Sequence, residues 1–174
     1  MLCGPAGAGK STFAHTFVER HKAHGYRPTT IVSSDQCRAL VCDDESNQQV
    51  NRDTFDLFYY IIHKRMFQGR LTLADSTALQ ADARRIMREL AQRHHYHTCL
   101  IVFNMSLQTC LEHDRHQARG RTVGEQVIAY HLQLLRQVLS EIPTEGWDQV
   151  HILDERSSDV EIVITPNSPH SGMN

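Results

Sequence analysis

The chain has 174 residues, is 40% hydrophobic and carries a formal net charge of −2, the size and balance of one globular domain around one substantial core. No apolar run approaches a membrane span and no secretory signal is read in it, and a polyanion would have to meet a local patch rather than a generally basic surface. Its five cysteines are scattered and form no C-x-x-C pair, so they read as reduced thiols in a cytoplasmic setting.

The first element read from the pattern is a turn. Gly4-Pro5-Ala6-Gly7-Ala8-Gly9-Lys10-Ser11-Thr12 fits G-x-x-x-x-G-K-[ST], the loop that binds the phosphates of a nucleoside triphosphate. Glycines let successive backbone N–H groups converge on the β- and γ-phosphates. Lys10 would reach the β/γ oxygens and the Ser11 hydroxyl would hold Mg²⁺, while a helix over residues 11–23 aims its positive end at the same anion. Only Met1, Leu2 and Cys3 precede the loop. Either the first strand is very short or the chain starts downstream of its natural beginning.

A strand over 29–33 (TTIVS) follows the Gly25/Pro28 break. Phe55, Phe58, Ile61, Ile62 and Met66 recur at helical spacing and predict a helix over 54–67, with Asn51 or Asp53 as N-cap and Gly69 ending it. Next come a strand over 71–75 (LTLAD), an Arg-rich helix over 81–94 and the strongest strand, 97–104 (HTCLIVFN), apolar enough to be buried on both faces. Helices over 106–118 and 123–140 are divided by Arg119-Gly120-Arg121, and 149–154 (QVHILD) is a last strand. The domain is expected to span 1–165, with residues 166–174 a disordered tail rich in Pro, Ser and Asn. His94-His95-x-His97 and His113-x-x-His116 lack a second cluster at metal-ligand spacing and read as solvated helix faces. Alternating β and α elements after a phosphate loop predict an α/β parallel sheet with helices on both faces.

In such a sheet the ligand sits beyond the carboxyl ends of the strands. After the second strand stands Asp35, where a carboxylate would accept the proton of an attacking hydroxyl, with Arg38 one helical turn further on to hold an anionic group of the acceptor. The competing reading makes Asp35 a helix cap and Arg38 a surface residue. Asp75, after four mostly apolar residues, is placed as a carboxylate on the Mg²⁺ side of the site, with Ser11. Arg115, Arg119 and Arg121 gather at a helix break, either to close over the transferring phosphoryl group or as solvated arginines. No N-K-x-D sequence supports guanine selectivity.

These residues together resemble bacterial polynucleotide 5′-kinase domains, the end-healing kinases of RNA repair. The likeness covers almost the whole chain: GPAGAGKST, SSDQCR, DDESNQ at 43–48, LTLADST, the arginine lid DRHQARGRTV and VHILD. It implies the fold of phosphate-loop kinases and transfer of the ATP γ-phosphate to a 5′-hydroxyl end of RNA or DNA. It implies that residues 4–12 hold ATP, that Lys10 and Ser11 hold phosphates and Mg²⁺, and that Asp35 is the general base. Arg38 would contact the phosphate 3′ of the acceptor nucleoside. Arg115 would be the main lid arginine on ATP, assisted by Arg121 and Arg119. The family's usual Asn after D-x-T is Ala78 here, and the lid is one residue shorter between Arg119 and Arg121. Several relatives are fused to phosphatase and ligase-like domains, so 3′-end healing and sealing are expected of separate partners. The alternatives are a kinase for a small-molecule hydroxyl (a sugar, nucleoside or antibiotic) and a nucleotide-dependent switch without an acceptor.

Overall fold

The computed structural model describes residues 1–116 and 122–157; Arg119, Arg121 and the expected tail lie outside the described residues. In chain order the elements are β1 (Leu2–Cys3), α1 (Lys10–Arg20), β2 (Ile31–Ser33), α2 (Ser34–Cys42), α3 (Asn51–Phe67), β3 (Leu73–Asp75), α4 (Ala81–Arg93), β4 (Cys99–Phe103), α5 (Leu107–His116), α6 (Glu125–Glu141) and β5 (Gln149–Leu153). Every strand pairing is parallel, in ladders β1-β4-β5 and β2-β3. The two ladders meet where β3 runs beside β1, and there the Gly4 N–H donates to the Thr77 carbonyl at 2.9 Å. A two-residue β1 is thus enough to seat the loop that follows it.

Alternation along the strands divides the core between two faces. Leu2, Ile31, Leu73, Ile101 and Phe103 pack with Ala14, Phe17 and Val18 of α1 and Cys110 of α5. Their neighbours Val32 and Ala74 pack with Phe58, Ile62 and Met66 of α3 and with Met87 and Ala91 of α4. Cys3, Leu100 and Val102 pack with Leu135 and Val138 of α6, whose earlier residue Ile128 belongs to the first face. The fold is α/β, a parallel sheet with helices on both sides.

Several boundaries differ from the sequence pattern for local reasons. Residues 34–42 form α2, the short helix on which the capping reading of Asp35 depends. Ser33 caps it by accepting the Gln36 N–H at 3.4 Å, so the capping role weighed for Asp35 belongs to Ser33. Neither Asn51 nor Asp53 caps α3, because a 3₁₀ turn over Gln48–Val50 leads straight into it and Val50 is the N-cap. Its far end is as expected. The Arg70 N–H reaches the Arg65 carbonyl and the Gly69 N–H the Met66 carbonyl, each at 2.9 Å, around Gly69 at φ 66°, the paired bonds of a Schellman ending that favours glycine. Strand β3 begins at Leu73 rather than Leu71, whose carbonyl is taken by Arg65 Nη2 at 2.9 Å. Strand β4 begins at Cys99, since the Thr98 N–H is given to Asp148 Oδ2 at 2.6 Å.

One side chain ties the face built on α4 and α6 together. Arg84 is 0% exposed. It donates from Nε and Nη2 to Glu145, from Nη2 to Glu141, and from Nη1 to the carbonyls of Ala78 and Leu79. Ala78, where the resemblance leads one to expect Asn, sits at φ 49°, a conformation costly for a residue with a Cβ.

Candidate active site

Register brings the chemistry to one edge. Ser33 pairs with Asp75 across β2 and β3, so Asp75 ends its strand level with Ser33 and Asp35 follows two residues later in the first turn of α2. The phosphate loop emerges from β1 at the same edge. Residues 4–9 join β1 to α1, and Gly7, at φ 73°, lies so close to α5 that a Cβ there would overlap the Cys110 carbonyl oxygen. Thr12 is exposed on the first turn of α1.

Two histidines brace this loop. His113 Nδ1 lies 2.8 Å from the Gly7 carbonyl, so it carries the proton and donates. His131 Nδ1 takes the Ala6 N–H at 3.3 Å and must be bare. Burial, and then the charge of Lys10, hold the His131 pKa below its ordinary value, which keeps that nitrogen free to accept. His113, expected on a solvated face, therefore has a structural partner 106 residues away.

Lys10 is buried, with its Nζ donating to the Pro5 carbonyl at 2.6 Å. Burial lowers its pKa; Asp75 first, and more weakly Cys3, Asp35 and Cys110, act to raise it. A buried ammonium whose described contact is a neutral carbonyl is matched to an incoming anion. Beside it the Ser11 hydroxyl donates to Asp75 Oδ2 at 2.7 Å, and Asp75 is itself buried. A hydroxyl and one carboxylate at a phosphate site are what Mg²⁺ takes from protein when substrate phosphates and water supply its remaining ligands. The residues fit a nucleoside triphosphate with its magnesium.

On the other side of the cleft edge, Arg38 Nη1 donates to Asp35 Oδ1 at 2.9 Å and to the Glu45 carbonyl at 3.0 Å, and Nη2 to Asn51 Oδ1 at 3.0 Å. Arg38 is 4% exposed, so it is not a surface residue, and its guanidinium joins α2, the following loop and α3. Its Nε, with Ser76 Oγ after β3 and Thr54 Oγ1 in the first turns of α3, is buried without a hydrogen-bond partner among the described residues. Native interiors seldom leave such groups unpaired.

The three arginines expected of a lid divide. Arg115 lies exposed in the last turn of α5, while Arg119 and Arg121 lie outside the described residues. Next to Arg115, Asp114 is 3% exposed. It accepts the Val123 N–H at 3.0 Å and the Gly124 N–H at 3.1 Å, pinning the start of α6 to the end of α5. Sequence reasoning passed over His131, Asp114 and Arg84, although each lies on a buried helical stripe: with Ile128 and Leu135, with Cys110, and with Met87 and Ala91. A polar residue on an apolar stripe was the available signal.

The family model described as an AAA domain, AAA_33, matches residues 1–142, a span that runs from β1 to the end of α6 and takes in every described residue of this site. No curated protein matches the chain.

Proposed function

The chain belongs to the AAA_33 family of AAA domains, a P-loop NTPase-like kinase family, and from that premise we propose that it is a polynucleotide 5′-hydroxyl kinase, moving the γ-phosphate of ATP to 5′-OH ends of RNA or DNA. The observation that carries the proposal is the acceptor side of the site. A carboxylate, Asp35, is held by a buried arginine, Arg38, at the same sheet edge as Lys10 and the Ser11–Asp75 pair. A switch or a plain hydrolase has no need of an arginine-oriented carboxylate facing the phosphate loop. A guanidinium beside that carboxylate suits an acceptor that carries an anionic group next to its hydroxyl, as the sugar-phosphate end of a strand does.

In this reading the loop N–H groups and Lys10 hold the β- and γ-phosphates and spread their charge. Ser11 and Asp75 would hold magnesium, which when bound would supply further positive charge to the same phosphates. Asp35 takes the proton of the 5′-hydroxyl as its oxygen bonds to the γ-phosphorus; the bond from that phosphorus to the β–γ bridging oxygen breaks and ADP leaves. Arg38 keeps Asp35 oriented, and its charge draws the first internucleotide phosphate to the acceptor side of the site. Arg115, at the edge of the lid, meets the donor phosphates.

Asp35→Asn tests this directly. Ser33 still caps α2 and Asn still accepts from Arg38, so the variant should melt within ~1–2 kcal/mol of wild type and bind ATP normally. Its transfer rate should fall by at least ~10²-fold, the usual weight of a general base. Normal transfer by Asp35→Asn would remove the base from the proposal.

A further inference from the structure

Two stretches without acids meet at the edge of the sheet opposite the phosphate loop. Residues 57–74 contain Lys64, Arg65 and Arg70 and no Asp or Glu; residues 90–111 contain Arg93 and again no acid. The last turns of α3 and α4 bring them together, with His63 Nδ1 2.9 Å from His94 Nε2. There Tyr60, Ile61, Lys64, Arg65, Gln68 and Arg70 line a cleft of about 410 Å³. None of its three cations, nor Arg93, makes an ion pair with a described residue.

The positive field is felt inside the patch. Burial, and then Arg70, disfavour the charge on Arg65. Burial, and then His94, Lys64 and Arg93, hold the His63 pKa below its usual value. Cations in a last helical turn offset the helix dipole, but each helix end carries only about half a unit of negative charge. Two ends therefore offset about one of the four cations. Aromatic surface lies among them: Tyr60 is 59% and Phe67 69% exposed, and the Lys64 ammonium stands 5.3 Å from the Tyr60 ring centroid.

We propose that this cleft docks the body of the nucleic-acid strand whose 5′ end lies in the active site, with Lys64, Arg70 and Arg93 on backbone phosphates and Tyr60 and Phe67 as stacking faces for bases. The inference rests on the polynucleotide reading above and names a second contact for the same substrate. Uncompensated cations alone would take any polyanion; cations interleaved with exposed rings suit a strand that has both phosphates and π-faces. The path is continuous, because α3 begins at Asn51, which holds Arg38, and ends in the cleft. From residue 51 to 64 a helix rises about 20 Å. A strand advancing roughly 3.4 Å per nucleotide covers that in about six nucleotides. Acceptors shorter than this reach only the active site, and longer ones reach both.

The experiment compares 5′-OH acceptors of about four and about twelve nucleotides, chosen to fall either side of that span, with wild type and with Lys64→Gln/Arg70→Gln/Arg93→Gln. Arg65 is kept because it holds Leu71 and Thr72. Wild type should show a KM for the longer acceptor about tenfold below that for the shorter, from a few phosphate contacts and one stacked base. The triple variant should lose that gain while its kcat and its KM for the short acceptor stay unchanged. Its binding of the longer strand, followed by fluorescence anisotropy, should lose about two units of log–log salt slope, from three released phosphates. Equal KM values for both lengths in wild type, or an undiminished gain in the variant, would overturn the proposal. So would displacement of the longer strand by polyglutamate as readily as by unlabelled strand, which would make the cleft a site for acidic peptide. If no oligonucleotide is phosphorylated, the polynucleotide reading fails by itself. The anisotropy arm still decides the cleft: binding that the triple variant abolishes sustains it, and unaltered binding refutes it.

Discussion

Arg84→Met removes a charge but little length, and the structure lets its cost be worked out. The guanidinium is 0% exposed and engages Glu145, Glu141 and the carbonyls of Ala78 and Leu79, with its shortest contact 2.6 Å to Glu145 Oε1. Without it the Glu145 carboxylate keeps Arg88 Nη1 at 2.9 Å and Trp147 Nε1 at 2.8 Å, so it is weakened rather than abandoned. The two carbonyls lose their guanidinium partner. Breaking one side of a buried pair costs about 3–5 kcal/mol, and the surviving donors argue for the lower end, ~3 kcal/mol. For a domain of this size that is a fall in Tm of roughly 6–12 °C, read by circular dichroism. The double variant Arg84→Met/Glu145→Leu should recover much of the loss, because neither charge is then stranded. The damage should also reach the site. Ala78 and Thr77 hold the root of the phosphate loop through the Cys3 thiol at 3.5 Å and the Gly4 N–H at 2.9 Å, so folded Arg84→Met should bind ATP more weakly. A single variant melting within ~2 °C of wild type, where ~6 °C is the least expected, would refute the reasoning, as would losses in the double variant that simply add.

Other consequences follow from the same geometry. Lys10→Ala should bind ATP poorly and transfer phosphate at least ~10³-fold more slowly, since its charge acts where the phosphates gain charge; near-normal turnover by a folded variant, in a coupled ADP assay, would contradict the site. Asp114→Ala leaves the Val123 and Gly124 N–H groups unpaired and should cost about 1–3 kcal/mol while lowering kcat with every acceptor alike, because the start of α6 loses its anchor to the helix that carries Arg115; an effect confined to one acceptor would count against this. Glu145 gives a pH signature. Burial opposes its ionisation, but hydrogen bonds from Arg84 and Trp147 and the charges of Arg84 and Arg88 outweigh that and depress its pKa. A depressed carboxyl contributes its full stability above the unfolded value of ~4.3 and loses it as pH falls through the folded value. The Tm gap between wild type and Glu145→Gln should hold at neutral pH and close below about pH 4; a gap that widens on acidification would contradict this sign.

What could be read in the sequence was whatever had a local cause. The phosphate loop, the end of α3 at Gly69 and the order of strands follow from glycine conformation and from the period of apolar residues. The Ser11–Asp75 pairing was legible because each residue stands at a fixed place after its strand. The extent of α2 and its cap were not, since SDQCRALVC shows little helical period and the cap, Ser33, closes a strand. The long-range polar contacts were hidden for another reason. Arg84 and Arg85 are adjacent and chemically identical, yet one is 0% exposed and the other pairs with Asp82 and Glu89 at the surface. Only the stripe shared with Met87 and Ala91 tells them apart. His131, Asp114 and Arg38 likewise gain their meaning from partners on other elements.

The central claim is what accepts the phosphate. The protein is given γ-labelled ATP and Mg²⁺ with a 5′-OH oligonucleotide, a nucleoside 3′-monophosphate, the bare nucleoside and a free sugar in parallel. Label should appear on the 5′ end of the oligonucleotide, more weakly on the 3′-monophosphate and poorly on the bare nucleoside. Arg38→Ala should narrow that preference by roughly ten- to a hundredfold, the worth of one charge-assisted contact to the phosphate. Label on the free sugar or nucleoside, with none on any 5′-OH oligonucleotide, would contradict the account and make the protein a small-molecule kinase.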